Sequence, residues 1–539
     1  SMLLSKCIDF FLLPAPLKKP LDIMIMQRNL SPWRRERRED NDDGDRLGFS
    51  DNSSTQSREP WSDRPFRQRN SNTETNWRNL YIITLVFFLV RTQFTVYLAS
   101  IWPILQATDK EATGESYSLM SAAYNIGVGS AAPVFGWLVD KHGFTRPALA
   151  ALLLMLLSDI GYFWLDVFPE PRRYFFFAIR FLVGIASGAT TIFLVFWSHG
   201  AAPDDRTVGS SLSAAASAAG NIAGPLVQAV CSLLDYPGFR WHGLPIHMYS
   251  IPAVVSAFLV LVSTFLLLRF FRDEHRVQPA ESTVDPVQIE LEGEKEEKEP
   301  LDVACVCFCL FLSVIQQFLY SNIETVAPLY HQWMFDLNNK ETTTFGSLLI
   351  VLAAVVSLIF LAAYVWSGAA RRVDNRLGIS MGLFVCFSFV VAVYPYKGIY
   401  SLYIESPFCH FDWCSSTVRI SLRLYICAYA VLFGVGFILL SVHTSALLSL
   451  LLGSRRQQMW HGISSLVGTA ARAVGPLCCV RLLELRGPSL VWLSQLLLLA
   501  LALFVIALSW CRMGTRIHRA GAAKPSPSLA RKLSLKSLH

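Results

Sequence analysis

The stretch SLVWLSQLLLLALALFVIALSW, Ser489–Trp510, carries no charged residue and is overwhelmingly apolar. A helix of about 20 residues, rising 1.5 Å per residue, crosses the ~30 Å hydrocarbon layer of a bilayer. In lipid the backbone must satisfy its own hydrogen bonds, so such a stretch is a helix and not an open strand. The same texture recurs outward along the chain, in Ile82–Val90 continuing through Tyr97–Ile101 and in Ala148–Leu157. The intervals between these runs are too short for soluble domains. We read twelve spans, at about 80–102, 118–138, 147–165, 174–197, 207–233, 249–268, 302–330, 345–366, 377–396, 421–450, 459–480 and 489–511. The expected fold class is an all-α polytopic membrane protein.

Composition agrees. Of 539 residues, 53% are hydrophobic and 16% are charged, against roughly 25% charged in soluble domains. The net charge is +7. Its bases gather in the tails and in one set of loops, as membrane orientation requires, so nucleic acid is not an expected partner. Most of the 12 cysteines, including Cys305, Cys307, Cys309, Cys478 and Cys479, lie in apolar spans, where cysteine acts as a small hydrophobe.

Arg269–Pro300 cannot enter lipid, because it holds Glu290, Glu292, Glu294, Glu296, Glu297 and Glu299 among lysines. It divides the spans into six plus six. The expected organisation is a disordered cytosolic tail at 1–78, a six-helix bundle at 79–268, a charged cytosolic linker at 269–300, a second bundle at 301–511 and a basic cytosolic tail at 512–539. Lys141, Arg146, Arg206, Arg371, Arg372, Arg376, Arg455 and Arg456 share the side of the tails, which the excess of bases marks as cytosolic. Met2–Leu13 is apolar but short and lacks a basic leader, so it is not read as a signal peptide. Asp9-Phe10-Phe11-Leu12-Leu13 has the form of an acidic dileucine sorting signal. An internal repeat supports two halves. Ala218-Ala219-Gly220-Asn221-Ile222-Ala223-Gly224-Pro225-Leu226 matches Thr469-Ala470-Ala471-Arg472-Ala473-Val474-Gly475-Pro476-Leu477, in the fifth and eleventh spans.

Gly136-Trp137-Leu138-Val139-Asp140-Lys141-His142-Gly143-Phe144-Thr145-Arg146 joins the second and third spans. It resembles the signature loop of the major facilitator superfamily, departing from it at Phe144 and Thr145. The resemblance implies two pseudo-symmetric six-helix bundles and a gating role for Gly136, Asp140, Lys141, Gly143 and Arg146. In that family the aspartate faces a helix N-terminus of the other half, a favourable dipole contact. The counterpart from Gly368 to Arg376 keeps the bases but lacks the aspartate of that signature. Arg180-x-x-x-Gly184-x-x-x-Gly188 also resembles the family's fourth span, its glycines read as a packing face. Gly220, Gly224 and Pro225, with Gly475 and Pro476 in the second half, resemble its fifth-span bend.

At finer grain the chain is similar to the family of major facilitator superfamily domain-containing protein 8, the type-seven neuronal ceroid lipofuscinosis family. The stretches that carry this are Ser100-Ile101-Trp102-Pro103-Ile104-Leu105-Gln106, Met248-Tyr249-Ser250-Ile251-Pro252, His275-Arg276-Val277, Glu324-Thr325, Trp413-Cys414 and Ala471-Arg472-Ala473-Val474-Gly475-Pro476. The resemblance implies an endosomal or lysosomal membrane and a transport role, with a chloride conductance attributed to that family.

Charges inside the spans narrow the chemistry, since each costs at least ~2.5–3.5 kcal/mol at mid-bilayer and so faces a cavity or a partner. They are Arg91, Asp159, Arg180, Glu324, His443 and Arg472. The resemblance makes the first, fourth, seventh and tenth spans cavity-lining, which favours Arg91, Arg180, Glu324 and His443 as solute-facing. Arg472 joins them if the eleventh span turns inward. Arginines outnumber acids, so the expected solute is a small anion. Glu324 is read as a proton acceptor for coupling or as a counter-charge, with the plain alternative that it pairs with an arginine simply to hold the halves together. His443 has a plain alternative as a packed helix residue.

Cys409-His410-Phe411-Asp412-Trp413-Cys414 falls in a non-cytosolic loop. A disulfide is favoured, with zinc bound by the cysteines and His410 or Asp412 as the rival. No Asn-x-Ser/Thr sequon falls in a non-cytosolic loop. No nucleotide loop, no nucleophile with a matching base and no metal cluster is evident, so neither enzyme activity nor a cofactor is expected. The leading expectation is an alternating-access carrier of a small molecule or ion, with protons as a candidate coupling partner. An anion channel on the same fold and a non-transporting scaffold or receptor are the rivals.

Overall fold

The computed structural model describes residues 76–190, 192, 193, 196, 206–242, 244–271, 303–397, 403, 404, 406–452 and 457–522. The sorting signal, most of the N-terminal tail, the charged linker and the last basic residues lie outside them.

Among the described residues, eleven helices are long and apolar enough to cross a membrane. Where the fourth span is expected, a shorter helix, Arg173–Gly188, is described, which is consistent with twelve spans. The others are Trp77–Val96, Gly114–His142, Thr145–Phe163, Arg206–Cys231, Ser250–Phe270, Val303–Phe335, Asn339–Trp366, Asn375–Val393, Leu422–Leu452, Gln457–Arg486 and Pro488–Ala522. Their termini follow local chemistry. Thr113 accepts from the Ser116 amide to start the second span, and Asn338 with Glu341 forms a full capping box for the eighth. Gly143 (φ 77°) and Gly368 (φ 69°) sit just past the second and eighth spans, in a backbone region that favours glycine.

One expectation fails. The first span is not continuous to residue 102: its helix ends at Val96, turns through Tyr97–Ser100, and a separate short helix runs Ile101–Thr108. Pro103 has no amide hydrogen to offer Ala99, so a through-going helix would lack a bond there. In the first turn of a new helix that loss is harmless.

The packing repeats between halves. The first span packs on the fifth and the seventh on the eleventh. The third packs on the sixth and the ninth on the twelfth. The second meets the eleventh and the eighth meets the fifth across the divide, which are one contact seen twice under a two-fold exchange of bundles. Outward faces are apolar, as at Phe258, Phe384, Leu497 and Leu508, which suits lipid.

Short connections make the helices alternate in direction. The tail face carries the start of the first span, the Gly136–Arg146 loop and the Gly368–Arg376 turn. The hairpin face carries the antiparallel pair Phe239–Trp241 and Leu244–Ile246, and the loop closed by the Cys409–Cys414 disulfide. With both sulfurs so joined, neither is a thiolate ligand for zinc. Trp413 seats this loop by packing on Gly487 (φ +75°) and donating from Nε1 to the Glu484 carbonyl at 3.1 Å. Beneath the hairpin, burial and the Asp166 carboxylate push the Tyr236 phenol up to about 12.

Candidate functional site

Between the bundles lies a cavity of about 450 Å³, lined from the first, second, fifth, seventh, eighth, tenth and eleventh spans. Its walls run from mid-helix positions such as Arg91, Asn221 and Arg472 to Leu361 and Val442. It therefore extends from the midplane toward the tail face. A smaller pocket adjoins it on the hairpin side, sharing Phe94, Leu98, Tyr124, Glu324 and Arg472, and adding Tyr117, Ser121, Asn125, Thr325 and Arg180.

Each cation is held in a definite way. Arg91 donates from Nε to Asn221 Oδ1 at 3.1 Å, and its guanidinium lies 5.4 Å from the Phe94 ring centre. Arg472 pairs with Glu324 at 3.2 Å and lies 5.0 Å from the Tyr320 ring; both partners stand on spans of the second half, so this pair does not tie the halves together. Both members of this pair are partly exposed, at 28% and 26%, so the pair borders the cavity without being sealed in protein. Arg180 is 4% exposed and stacks 4.8 Å from the Tyr124 ring. It donates to the Tyr162 hydroxyl at 3.4 Å, and among the described residues no carboxylate pairs with it. Arg91, Glu324 and Arg472 thus meet in the main cavity, and Arg180 stands in the adjoining pocket.

His443 does not face the cavity. It is 1% exposed, with Nε2 at 2.8 Å from the Tyr364 hydroxyl and Nδ1 at 2.9 Å from Asn375 Oδ1, and its ring packs on Gly378. Ser441 and Val442 line the cavity. The next helical position turns about 100° away, toward the eighth and ninth spans. Asp159 is likewise inside the first bundle, accepting from Gln93 Nε2 at 3.0 Å and the Tyr97 hydroxyl at 2.9 Å.

The glycines set how closely the cavity walls approach. A Cβ on Gly220 would lie 2.7 Å from Arg91 Cβ, and one on Gly475 would lie 2.6 Å from Asn322 Oδ1. These are the first–fifth and seventh–eleventh contacts; in the repeat the counterpart of Gly475 is Gly224, and Gly220 stands opposite Ala471. Gly224 packs on the backbone of Thr92 and Val96, Gly184 on that of Tyr124, and Gly188 on Ala131 and Ala132. Pro225 and Pro476 lie within continuous helices next to these contacts. At the tail face, Gly136 has open space around it, Lys141 lies 5.0 Å from the Trp137 ring, and Arg146 is exposed. The Asp140 side chain lies outside the described residues. In the matching turn, Asp374 caps the ninth span and binds Arg376 at 2.6 Å.

Polar links between the bundles close the hairpin face. Trp102 Nε1 donates to Gln332 Oε1 at 2.6 Å, and Gln332 Nε2 donates to Gln106 at 2.9 Å. Lys340 pairs with Asp235 at 2.6 Å, Thr344 donates to Ser232 at 2.7 Å, and Arg481 lies 3.7 Å from Glu115. Nearer the midplane, Ser121 and Thr325 share a hydrogen bond at 3.1 Å, and Asn125 donates to the Arg472 carbonyl.

Several cavity residues escape the sequence reading. Asn221 stands inside the quoted repeat, a polar residue in an apolar span, so a signal existed. Tyr320, Phe433 and Phe437 gave none, because aromatic residues are ordinary in membrane helices. Phe433 lies in a π-helical turn, Leu432–Gly436, whose Phe433 carbonyl accepts from Ser357 Oγ at 3.3 Å. Such turns recur at functional sites.

A family model described as Major Facilitator Superfamily matches residues 82–476. Major facilitator superfamily domain-containing protein 8 of Xenopus laevis is 24% identical over 440 residues, spanning 75% of this chain and 85% of the relative. The D-xylose-proton symporter shares the architecture with a TM-score of 0.60 at 14% identity, over 80% of this chain and 97% of that one. The human organic anion transporter MFSD10 (TETRAN) does so with a TM-score of 0.53 at 15% identity, over 80% and 99%. With eleven candidate spans and the shorter helix Arg173–Gly188 packed as two matching bundles, a cavity at their junction and a family match over most of its length, the chain belongs to the Major Facilitator Superfamily.

Proposed function

We propose that this protein is an alternating-access carrier for a small anionic solute. One observation carries the reading: Arg91 and Arg472 both reach a cavity whose lining, among the described residues, contains a single carboxylate, Glu324, already paired with Arg472. Arg180 adds a third positive charge in the adjoining pocket. A low-dielectric chamber with excess positive charge attracts anions. The anion binds where the halves meet, so rocking one bundle against the other exposes it to each side in turn.

The tail face is cytosolic in this reading, following the distribution of arginine and lysine. The hairpin face then looks into the lumen of a late endosome or lysosome, in keeping with the family resemblance. The links from Trp102 to Gln332 and from Lys340 to Asp235 close that side, leaving the cavity on the cytosolic side of the closure. A gate of this kind favours a carrier over a channel, which needs a continuous wet path. Protons serve as coupling ion if Glu324 takes one up when Arg472 engages the solute.

Flux into proteoliposomes across a panel of anions, sugars and amino acids, with and without a pH gradient, tests the proposal. Saturable uptake confined to anions is expected. Uptake of sugars or cations in their place would overturn it.

A further inference from the structure

We infer that the solute is an amphipathic organic anion, one compact anionic group on a flat apolar or aromatic body, and not a halide or a small hydrophilic acid. This rests on the anion reading above and specifies it.

Size comes first. The cavity measures about 450 Å³, room for about fifteen waters at ~30 Å³ each. That is within the ~300–1,000 Å³ range of sites for drug-sized organic ligands. A bare ion would contact only a small part of the wall.

Second, the charges are gathered on one part of the wall. The first, fifth, seventh and eleventh spans supply Arg91, Asn221, Glu324 and Arg472. The eighth and tenth spans carry no charge there and are mainly apolar, with Ile350, Ala353, Leu361, Ile438 and Val442 beside Ser357 and Ser441. Between them stand aromatic rings in mutual contact: Tyr320 to Phe433 at 5.3 Å, Tyr320 to Phe437 at 5.4 Å, and Tyr429 stacked on Phe433 at 4.5 Å. A wall of this kind is poorly used by a strongly hydrated ion. It gains contact with a flat body through offset or edge-to-face packing.

Third, the arginines are oriented for an anionic head. Arg91 and Arg472 each lay the guanidinium beside a ring, Phe94 and Tyr320 respectively. Cation–π contact engages the face of the guanidinium; Arg91 Nε is taken by Asn221 and one terminal nitrogen of Arg472 by Glu324, and the remaining edge N–H groups serve the oxygens of a carboxylate or sulfonate. The head thus sits between Arg91 of one bundle and Arg472 of the other, with the body against Phe433 and Phe437. The π-helical turn at Leu432–Gly436 is the local device that presents Phe433.

Calorimetric titration of the full-length protein in lipid nanodiscs tests this with four probes: 2-naphthoate, its neutral relative 2-naphthalenemethanol, acetate and chloride. We expect naphthoate to bind at least tenfold more tightly than each of the others. Phe433→Leu, which keeps bulk but removes the ring, should weaken naphthoate fivefold or more and leave acetate unchanged; Phe437→Leu serves if that variant does not fold. Acetate or chloride binding as tightly as naphthoate, in a manner lost on Arg91→Gln, would overturn this inference alone. If no anion binds and Arg91→Gln changes nothing, the anion reading falls with it. Naphthoate affinity unaltered in both ring variants would also refute the assignment.

Discussion

Replacing Glu324 by Gln should tighten anion binding. The carboxylate lies 3.2 Å from Arg472, and an anion taking that guanidinium at a charged hydrogen-bond distance of ~2.8 Å sits about 6 Å from Glu324. Two like charges at ~6 Å repel by about 1.4 kcal/mol at an effective dielectric of ~40 and about 2.8 kcal/mol at ~20. The pair borders the cavity with about a quarter of each side chain exposed, so both values are reasonable bounds. They convert to roughly a 10- to 100-fold gain in affinity. Gln keeps the size of Glu and can still accept from Arg472, so the fold should not change. The assay is competition binding of an anionic probe at fixed pH and salt, repeated at high salt, where screening should reduce the gain. Unchanged or weaker binding in Glu324→Gln would show that the carboxylate is not repelling a bound anion, and the placement of the solute at Arg472 would be wrong. The same variant separates the two roles of Glu324. If it accepts the coupling proton, the pH dependence of uptake flattens; if it only balances charge, the profile persists.

Other outcomes follow from particular contacts. Gly224→Ala sets a Cβ 2.6 Å from the Thr92 carbonyl oxygen and 2.7 Å from the Val96 amide; neither backbone atom can yield, so thermal unfolding should show a loss of about 1–3 kcal/mol. Trp102→Phe removes the 2.6 Å bond to Gln332 that joins the bundles. A loss of ~1 kcal/mol would shift the gate about fivefold toward opening, read as faster labelling of a cysteine placed at Ser121 by an impermeant reagent from the hairpin side. His443→Leu breaks the bonds to Tyr364 and Asn375; stability should fall by about 1–3 kcal/mol while anion affinity stays constant, and a loss of affinity without a loss of stability would return His443 to the cavity.

Much of the architecture was legible because lipid leaves few choices. An uncharged run such as Ser489–Trp510 can only be a helix. The repeat around Gly224 and Gly475 marked corresponding spans, since close helix approach needs a small residue at those places. The break after Val96 was hidden by continuous apolarity, although Pro103 offered a cue. Which face a charge presents was harder to read. Arg91, Glu324 and Arg472 line the chamber while His443 is turned away, because one position along a helix changes the direction by about 100°. The aromatic wall gave no warning at all, as rings are common throughout membrane spans, and the π-helical turn that positions Phe433 leaves no mark in the sequence.

Uptake of radiolabelled anions by proteoliposomes holding either the native protein or the Arg91→Gln/Arg472→Gln double variant tests the central claim most directly. The native protein should give saturable uptake well above empty vesicles, and the double variant should lose at least nine-tenths of it while keeping its fold. Equal uptake by the two proteins, or none by the native one across the anion panel, would contradict a cationic chamber as the site of transport.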